Sequence, residues 1–317
     1  MDKITPHTLL LAEPRGFCAG VVRAIEVLNY LLDHEKPPIY SYHEIVHNTY
    51  IVENFKKRGV IFTDSINEVP EGARIVFSAH GISPLIMQEA KNKKLKIIDA
   101  TCPLVTKVHL ETKKAAKDGY DILLVGHRGH DEVEGTLGEA PKQTTVVDSI
   151  EEVNTLNVSS DKIFVVTQTT LSVDDTHDII ENINSKFPAA EIRNDICYAT
   201  TNRQAAVKEL AKKTDLILVV GSPNSSNSVR LMEHARSAGV TAYRIEGIEE
   251  IEEQWFKNVG IIGLTAGASV PDELLDPIIN LLIQKGIKKI DTITVAQETV
   301  EFKPPNDLPI PKRTLTQ

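Results

Sequence analysis

Short apolar runs alternate along this chain with stretches whose apolar residues recur at helical spacing. Nine runs of four or five residues, among them residues 9–12 and 216–220, predict buried strands. Helices are predicted to begin near Cys18, Asn48, Ser83, Cys102, Ser172, Cys197, Ser226 and Ser269. Strands that alternate with helices in this way indicate an α/β fold with parallel sheets. In such folds, ligands bind in the loops at the carboxyl ends of the strands.

The three cysteines mark an internal repeat, because each lies in a turn between a strand and a helix. Two polar loops follow each cysteine at similar distances. His47, His130 and Ser225, in the first loops, lie 29, 28 and 28 residues after Cys18, Cys102 and Cys197. His80, Thr169 and Ser269, in the second loops, lie 62, 67 and 72 residues after the same cysteines.

This repeat predicts three similar α/β domains in a pseudo-threefold, trefoil-like arrangement around a central cavity. The expected domains are residues 1–101, 102–196 and 197–290, each with one cysteine at its corner. Residues 291–317, which are rich in proline, are expected to form a C-terminal tail that packs across the domains.

Composition and charge narrow the classes of function. The net charge of −9 and the lack of a basic run argue against a nucleic-acid binder. No apolar run approaches the length of a membrane span, and the first residues lack a signal-peptide core. We therefore expect a cytoplasmic protein, in which three cysteines do not form a disulfide framework.

Three cysteines that converge from three domains would bind a metal. The close cysteine pairs of zinc sites and the C-x-x-C runs of ferredoxins are both absent, so spacing alone is weak evidence. Three thiolates can nevertheless hold a 4Fe-4S cluster and leave its fourth iron without a protein ligand. An open iron of this kind is a Lewis acid that a substrate oxygen can reach.

The polar loops suggest an anion site beside the cysteines. His47, His80, Ser225, Asn227 and Ser269 offer hydrogen-bond donors, and several of them lie where helices begin, as in phosphate sites. Residues 224–227 are equally compatible with a simple helix cap.

Two alternatives remain open from the residues alone. His127 and His130, three residues apart, could ligate a metal with Glu132 or Glu134 as the base of a hydrolase. A non-catalytic iron–sulfur redox sensor is the other alternative.

Seven segments of the chain resemble the 4-hydroxy-3-methylbut-2-enyl diphosphate reductase family, whose members catalyse the last step of the methylerythritol phosphate (non-mevalonate) pathway of isoprenoid biosynthesis. They are PRGFCAGV (residues 14–21), HEIVHN (43–48), SAHG (78–81), DATCPLV (99–105), QTTLS (168–172), DICYATTNR (195–203) and AGAS (266–269). The resemblance runs in order from about residue 8 to residue 310.

The resemblance implies an oxidoreductase that reduces (E)-4-hydroxy-3-methylbut-2-enyl diphosphate to isopentenyl and dimethylallyl diphosphate, with water as the other product. It implies one 4Fe-4S cluster per chain, held by Cys18, Cys102 and Cys197, with the substrate hydroxyl on the open fourth iron. It also implies an external one-electron donor of the ferredoxin or flavodoxin type, and no nucleic acid or membrane as a partner.

The resemblance also implies roles for the polar residues. Glu132 would donate a proton, with His130 and Thr169 in its hydrogen-bond relay. The substrate would bind among His47, His80, His130, Thr169, Ser225, Ser226, Asn227 and Ser269. The chain departs from the family pattern at Asp131, where proline often precedes the glutamate, and by a short extension before Thr8.

Overall fold

The computed structural model describes residues 6–158, 162–306 and 308. Within them the chain forms thirteen strands: β1 (Thr8–Glu13), β2 (Ile39–Tyr42), β3 (Val60–Thr63), β4 (Arg74–Phe77), β5 (Lys96–Asp99), β6 (Asp121–Val125), β7 (Thr144–Val147), β8 (Ile163–Thr167), β9 (Glu191–Ile192), β10 (Leu216–Val220), β11 (Thr241–Ile245), β12 (Ile261–Ala266) and β13 (Lys289–Thr294). The same residues form ten α-helices: α1 (Ala19–His34), α2 (Thr49–Lys57), α3 (Pro84–Asn92), α4 (Pro103–Lys117), α5 (Asp131–Leu137), α6 (Ile150–Thr155), α7 (Val173–Lys186), α8 (Tyr198–Ala211), α9 (Ser226–Ser237) and α10 (Leu275–Gln284).

The strands form three parallel sheets, which confirms the predicted α/β class. Two sheets have four strands each, in the orders β3-β2-β4-β5 and β7-β6-β8-β9. The third has five, in the order β11-β10-β12-β1-β13. Every neighbouring pair is parallel. Four strands of each sheet therefore follow one pattern, with β1 in the place that β5 and β9 hold in the other two sheets.

The placement of β1 corrects the predicted limits of the first domain. We expected residues 1–101 to form one unit, but β1 pairs with β12 on one side and with β13 on the other. The first strand of the chain thus completes the sheet built by its last third. The apolar run of residues 9–12 predicts a strand without specifying its neighbours, so the sequence could not reveal this exchange. The limits at residues 102 and 197 stay a prediction.

Each sheet is covered on both faces, as its apolar strands require. Along β10, Leu216, Leu218 and Val220 face a core that also contains α10, whereas Ile217 and Val219 face α8 and α9. This alternation follows from the two-residue period of a strand. The other two sheets are likewise buried between two apolar clusters each.

The helix that leaves the fourth strand of each repeated pattern begins at a cysteine. Cys18 follows β1 and precedes α1, Cys102 follows β5 and precedes α4, and Cys197 follows β9 and precedes α8. Each of these helices leads into the next sheet, so the cysteines lie at the carboxyl ends of strands where the chain crosses between sheets.

Several elements differ from the prediction. The polar segment after β6 contains the start of α5 at Asp131, which we expected to be loop. No α-helix begins at Ser269 in this described part of the chain: a 3-10 turn at Asp272–Leu274 leads into α10 at Leu275. The predicted tail begins inside β13, so only the residues after Thr294 leave the sheet. Pro309, Pro311 and residues 1–5 of the N-terminal extension lie outside the described residues.

None of the helices in the described residues is both long and apolar enough to cross a membrane.

Candidate active site

The three cysteine corners meet at one cavity with a volume of about 100 Å³. The structure brings together in its lining all twelve residues that the sequence singled out as site residues: Cys18, His47, His80, Cys102, His130, Glu132, Thr169, Cys197, Ser225, Ser226, Asn227 and Ser269. They come from all three sheets, so the convergence inferred from the repeat is present in the fold.

Each cysteine is the residue that precedes the first turn of its helix. All three are free thiols and are half-buried. Cys197 Sγ accepts hydrogen bonds from the backbone N–H of Thr200, at 3.4 Å, and lies 3.2 Å from the Thr200 hydroxyl. The positive end of the helix dipole and the unpaired N–H groups favour anionic sulfur at such positions.

Gly20 lies where two of the corners touch. A Cβ atom at Gly20 would lie 2.7 Å from Cys102 Sγ and 3.9 Å from Cys18 Sγ. The lack of a side chain at this position therefore allows the first turn of α1 to approach the sulfur at the start of α4.

Burial opposes negative charge on two of these thiols, Cys102 and Cys197. It raises the pKa of Cys102 to about 12 and that of Cys197 to about 11, and the neighbouring Cys18 raises both further. A bound cation would remove this cost, and three sulfur donors suit a soft metal such as iron in a sulfide cluster better than magnesium or calcium. The donor set thus fits the cluster that the resemblance implies.

Three histidines form one wall of the cavity. The rings of His47 and His80 stack with centroids 4.0 Å apart, and the His130 ring meets both edge-on. Burial, followed by the charge of His47, holds the pKa of His80 well below its usual range and lowers that of His130 to about 3. His80 and His130 are therefore neutral at physiological pH, and each can donate one N–H to a ligand.

Asp131 contacts this histidine cluster from the first turn of α5. One of its carboxylate oxygens lies 3.8 Å from His47 Nε2 and from His80 Nδ1, and the other lies 3.5 Å from His43 Nδ1. His47, His80 and Asp131 are close enough to hold a metal ion. The stacked rings argue against such a site, because ring-nitrogen lone pairs lie in the ring planes and two parallel rings cannot both aim at one ion.

A second wall of the cavity consists of small polar side chains around the start of α9. Ser225 caps this helix and accepts a hydrogen bond from the backbone N–H of Ser228 at 3.4 Å. Asn227 Oδ1 accepts a hydrogen bond from Ala268 N at 3.0 Å, and Ser269 Oγ donates to the carbonyl of His47 at 2.8 Å. Ser225 is therefore both a helix cap and a cavity residue, so the two interpretations of residues 224–227 are compatible.

Glu132 is the buried acid of the cavity, 3% exposed on α5. Its Oε1 accepts a hydrogen bond from the backbone N–H of Thr169 at 2.6 Å, and its Oε2 accepts one from the Thr169 hydroxyl at 3.1 Å. Burial raises the pKa of Glu132 to about 7, although both hydrogen bonds from Thr169 oppose the shift. His130 Nδ1 accepts the backbone N–H of Glu132 at 3.1 Å, which orients the imidazole beside the acid.

His127 does not join His130, which contradicts the metal-hydrolase interpretation. Its Nδ1 lies 2.7 Å from Asp148 Oδ1, and its Nε2 lies 2.7 Å from a guanidinium nitrogen of Arg230. These contacts place His127 in a separate cleft next to α6 and α7. The turn before α5 directs the two imidazoles to different sides of the chain.

Sequence reasoning missed several lining residues. Thr200 donates to Cys197 Sγ, and its position three residues after a helix-capping cysteine is the kind of capping pattern that could have identified it. Tyr198 adjoins the same cysteine. Phe302 reaches the cavity from the C-terminal segment, and nothing in the local sequence indicates this.

Comparisons with known proteins agree with this geometry. A family described as LytB protein matches residues 9–283. The 4-hydroxy-3-methylbut-2-enyl diphosphate reductase of Nocardia farcinica is 48% identical over 317 residues, which cover 99% of this chain and 94% of the relative. That of Histophilus somni is 48% identical over 308 residues, covering 95% and 98%.

A solved structure extends the likeness to the fold. The structure of the E-1-hydroxy-2-methyl-but-2-enyl-4-diphosphate reductase from Plasmodium falciparum has a TM-score of 0.91 and 42% identity, and the match covers 95% of this chain and 96% of that one. With the family match over most of its length, the chain belongs to the LytB family of 4-hydroxy-3-methylbut-2-enyl diphosphate reductases.

Proposed function

We propose that the chain reduces (E)-4-hydroxy-3-methylbut-2-enyl diphosphate to isopentenyl and dimethylallyl diphosphate plus water. A related reductase with a solved structure, 33% identical with a TM-score of 0.64, is described as the terminal enzyme of the non-mevalonate pathway. The observation that carries the proposal is the cavity in which three thiols, a wall of small polar side chains and one buried acid meet.

Cys18, Cys102 and Cys197 would hold a 4Fe-4S cluster. Reductases of this family are generally iron–sulfur dependent, and three sulfur donors leave one iron of such a cluster without a protein ligand. When bound, the cluster supplies single electrons and a Lewis-acidic iron at the cavity. The raised pKa values of Cys102 and Cys197 support this role, because cationic iron would stabilise the buried thiolates.

The two polar walls would bind the diphosphate. His47, His80, Ser225, Asn227 and Ser269 would supply polar groups to the diphosphate, and Ser225 and Asn227 do so at the start of α9, where the helix dipole favours an anion. Ser226 and Thr169 extend the same lining. Binding of the diphosphate would hold the allylic alcohol in position for reaction, which lowers the entropic part of the activation barrier.

Glu132 would donate the proton that turns the departing hydroxide into water. A carboxyl with a pKa near 7 still holds its proton for much of the time at neutral pH, which a carboxyl with an ordinary pKa does not. Thr169 fixes both carboxyl oxygens, and His130 lies on the side facing the histidine cluster. Thr169, through its bonds to the carboxyl, and His130, whose Nδ1 accepts the backbone N–H of Glu132, would form the proposed hydrogen-bond relay.

One turnover consumes two electrons and two protons, breaks the bond between carbon and the hydroxyl oxygen, and forms one C–H bond. The first proton leaves with the hydroxyl as water. The second adds to either end of the reduced allyl fragment, which would give the two isomeric products. The electrons would come singly from an external carrier of the ferredoxin or flavodoxin type.

An anaerobic assay with reduced methyl viologen, the hydroxylated allylic diphosphate and cluster-loaded chain tests the proposal. We expect oxidation of two viologens for each substrate consumed, and roughly four irons per chain. Cys197→Ser should lose iron and turnover together. A redox sensor would also bind iron but would not consume the substrate. If the loaded chain oxidises no viologen, the proposed function is wrong.

A further inference from the structure

A basic groove lies on the outer side of the two helices that begin at Cys18 and Cys102. It has a volume of about 470 Å³, and Arg23 of α1 and Lys107, Leu110 and Lys114 of α4 line it. Its inner end is formed by Thr101 and Pro103, the two residues that flank Cys102. The groove therefore adjoins the backbone of a proposed cluster ligand.

The groove is close to the cysteine layer. The first turn of α1 touches Cys102 Sγ at Gly20, and Arg23 lies three residues further along that helix. Its guanidinium donates to the carbonyl of Thr101 at 2.9 Å, next to Cys102. Three residues, about 4.5 Å of helical rise, thus separate Arg23 from the glycine that lies next to Cys102 Sγ.

The charge of the groove is positive although the whole chain carries −9. The charge of Lys107 is offset by Asp195 at 2.8 Å and by Glu111 at 3.6 Å. Arg23 instead donates to two carbonyl oxygens, and neither Arg23 nor Lys114 has an ion pair with any residue that the structure describes. Lys114, which is exposed, therefore remains available to a partner, whereas Arg23 adds positive charge to the groove while it holds the carbonyl oxygens of Thr101 and Lys303.

An exposed apolar side chain lines the groove together with these cations. Leu110 is 62% exposed on α4, one turn before Lys114. An apolar centre with a charged rim is the usual composition of a protein interface. By contrast, the cleft near His127 is lined by Asp148, Glu151, Asp175 and Asp178, and it would repel an acidic partner.

We propose that this groove is the docking surface for an acidic one-electron carrier protein. The inference rests on the proposed function, because a reductase whose redox group is enclosed must receive electrons through its surface. In each of two encounters the carrier loses one electron and the chain gains one. Complementary charge would bring the carrier to the side where the cysteine-bearing turns are nearest.

Calorimetric titration of the cluster-loaded chain with oxidised plant-type ferredoxin tests the proposal without turnover. We expect binding that weakens as salt is added, and that weakens about tenfold when Lys114→Glu reverses one charge of the groove. Leu110→Ser, which removes the apolar centre and keeps every charge, should also weaken it. Lys257→Glu is the matched control, because Lys257 is exposed and precedes β12, at the amino ends of the parallel strands, whereas the cysteines lie at the carboxyl ends.

Turnover measured with two electron sources gives the second readout. With reduced ferredoxin, Lys114→Glu should lower the rate at limiting carrier about tenfold, whereas methyl viologen, which needs no docking surface, should support unchanged turnover. If Lys114→Glu and Leu110→Ser bind and use ferredoxin as the unaltered chain does, the groove is not the docking surface. Absence of viologen-driven turnover would instead refute the proposed function, while the calorimetric test of the groove would still stand.

Discussion

The carboxyl of Glu132 is buried and has few hydrogen-bonding or charged partners. Inside the cavity wall it receives hydrogen bonds only from Thr169 among the described residues, and no cationic side chain forms an ion pair with it there. Burial without a countercharge disfavours the carboxylate, and this is the physical cause of its raised pKa. The same carboxyl is thereby suited to hold a proton until the substrate needs it.

Glu132→Gln removes this proton while keeping the shape of the side chain. The amide oxygen can still accept from Thr169 N, and the amide N–H can donate to the Thr169 hydroxyl, so we expect unchanged folding and iron content. Turnover should fall by about 10² to 10⁴-fold, the usual contribution of a general acid. Glu134→Gln, on the exposed side of the same helix, is the control and should keep its activity. Equal turnover in both variants would contradict the role of Glu132.

The raised pKa of Glu132 also predicts the pH dependence of turnover. The donor must be protonated before reaction, so kcat/KM should be constant at lower pH and fall tenfold per pH unit above about pH 7. A bound diphosphate adds negative charge and raises the pKa further, so the fall in kcat should begin at higher pH than the fall in kcat/KM. Steady-state viologen assays over a range of substrate concentrations, across pH 6 to 9, would measure both. A profile that rises with pH would require Glu132 to act as a carboxylate instead.

At the scale of elements, the cavity depends on helices that begin with cysteine. The start of α1 can approach Cys102 only because Gly20 has no side chain. Gly20→Ala would place a Cβ atom 2.7 Å from Cys102 Sγ, against a thiol that packing already confines. Since real Cβ atoms do not approach so closely, either the sulfur or the start of α1 must move.

We therefore expect Gly20→Ala to fold with normal helix content but to hold clearly less iron per chain. Alanine is itself a better helix former than glycine, so a defect cannot be attributed to loss of helix propensity. Circular dichroism would report the helices, and iron analysis after anaerobic reconstitution would report the ligand set. Full iron content in this variant would indicate that the sulfur positions tolerate the shift.

The elements also explain how far the sequence could predict the site. Cysteine turns and polar loops lie at the ends of apolar strands, and parallel sheets place such ends together, so the offsets from Cys18, Cys102 and Cys197 could predict which loops line the cavity. The roles of Glu132 and Ser226 came from the family resemblance instead. The start of α5 was missed because its first residues are acidic, and acidic residues are typical of both loops and first helical turns. Phe302 was missed because its position depends on the path of a segment without periodicity.

At the scale of the molecule, the three repeated sheets are joined by contacts at the cysteine corners. Arg203 of α8 is completely buried and donates to the carbonyl of Gly16, in the Cys18 turn, at 2.7 and 3.1 Å. It also pairs with Glu298 of the C-terminal segment at 2.9 Å. One guanidinium thus ties the Cys197 helix, the Cys18 turn and the segment after β13, a task that needs its five donors.

The C-terminal segment continues from this contact across the outside of the cavity. Phe302 lines the cavity, and the carbonyl of Lys303 accepts a hydrogen bond from Arg23 at 2.8 Å. Leu308 is 8% exposed and packs in the core beside α1. The segment therefore connects the sheet completed by β1 with the first four-stranded sheet and covers one side of the cysteine corners.

If the C-terminal segment is removed, we expect the lifetime of the cluster to change while the fold is kept. A chain that ends after Glu298 keeps all three sheets and the pair between Arg203 and Glu298, but loses Phe302 and Leu308. We expect lower stability, by about 2 kcal/mol for the lost burial of Leu308, and faster bleaching of the cluster absorbance in air.

A chain that ends after Leu308 is the matched control, and its cluster should bleach in air as slowly as that of the full chain. Phe302→Ala in the full chain tests the contribution of the Phe302 side chain alone, because Leu308 and the hydrogen bond from Arg23 to Lys303 stay in place. If the shortened chain and Phe302→Ala both bleach at the rate of the full chain, solvent and oxygen do not enter the cavity past this segment.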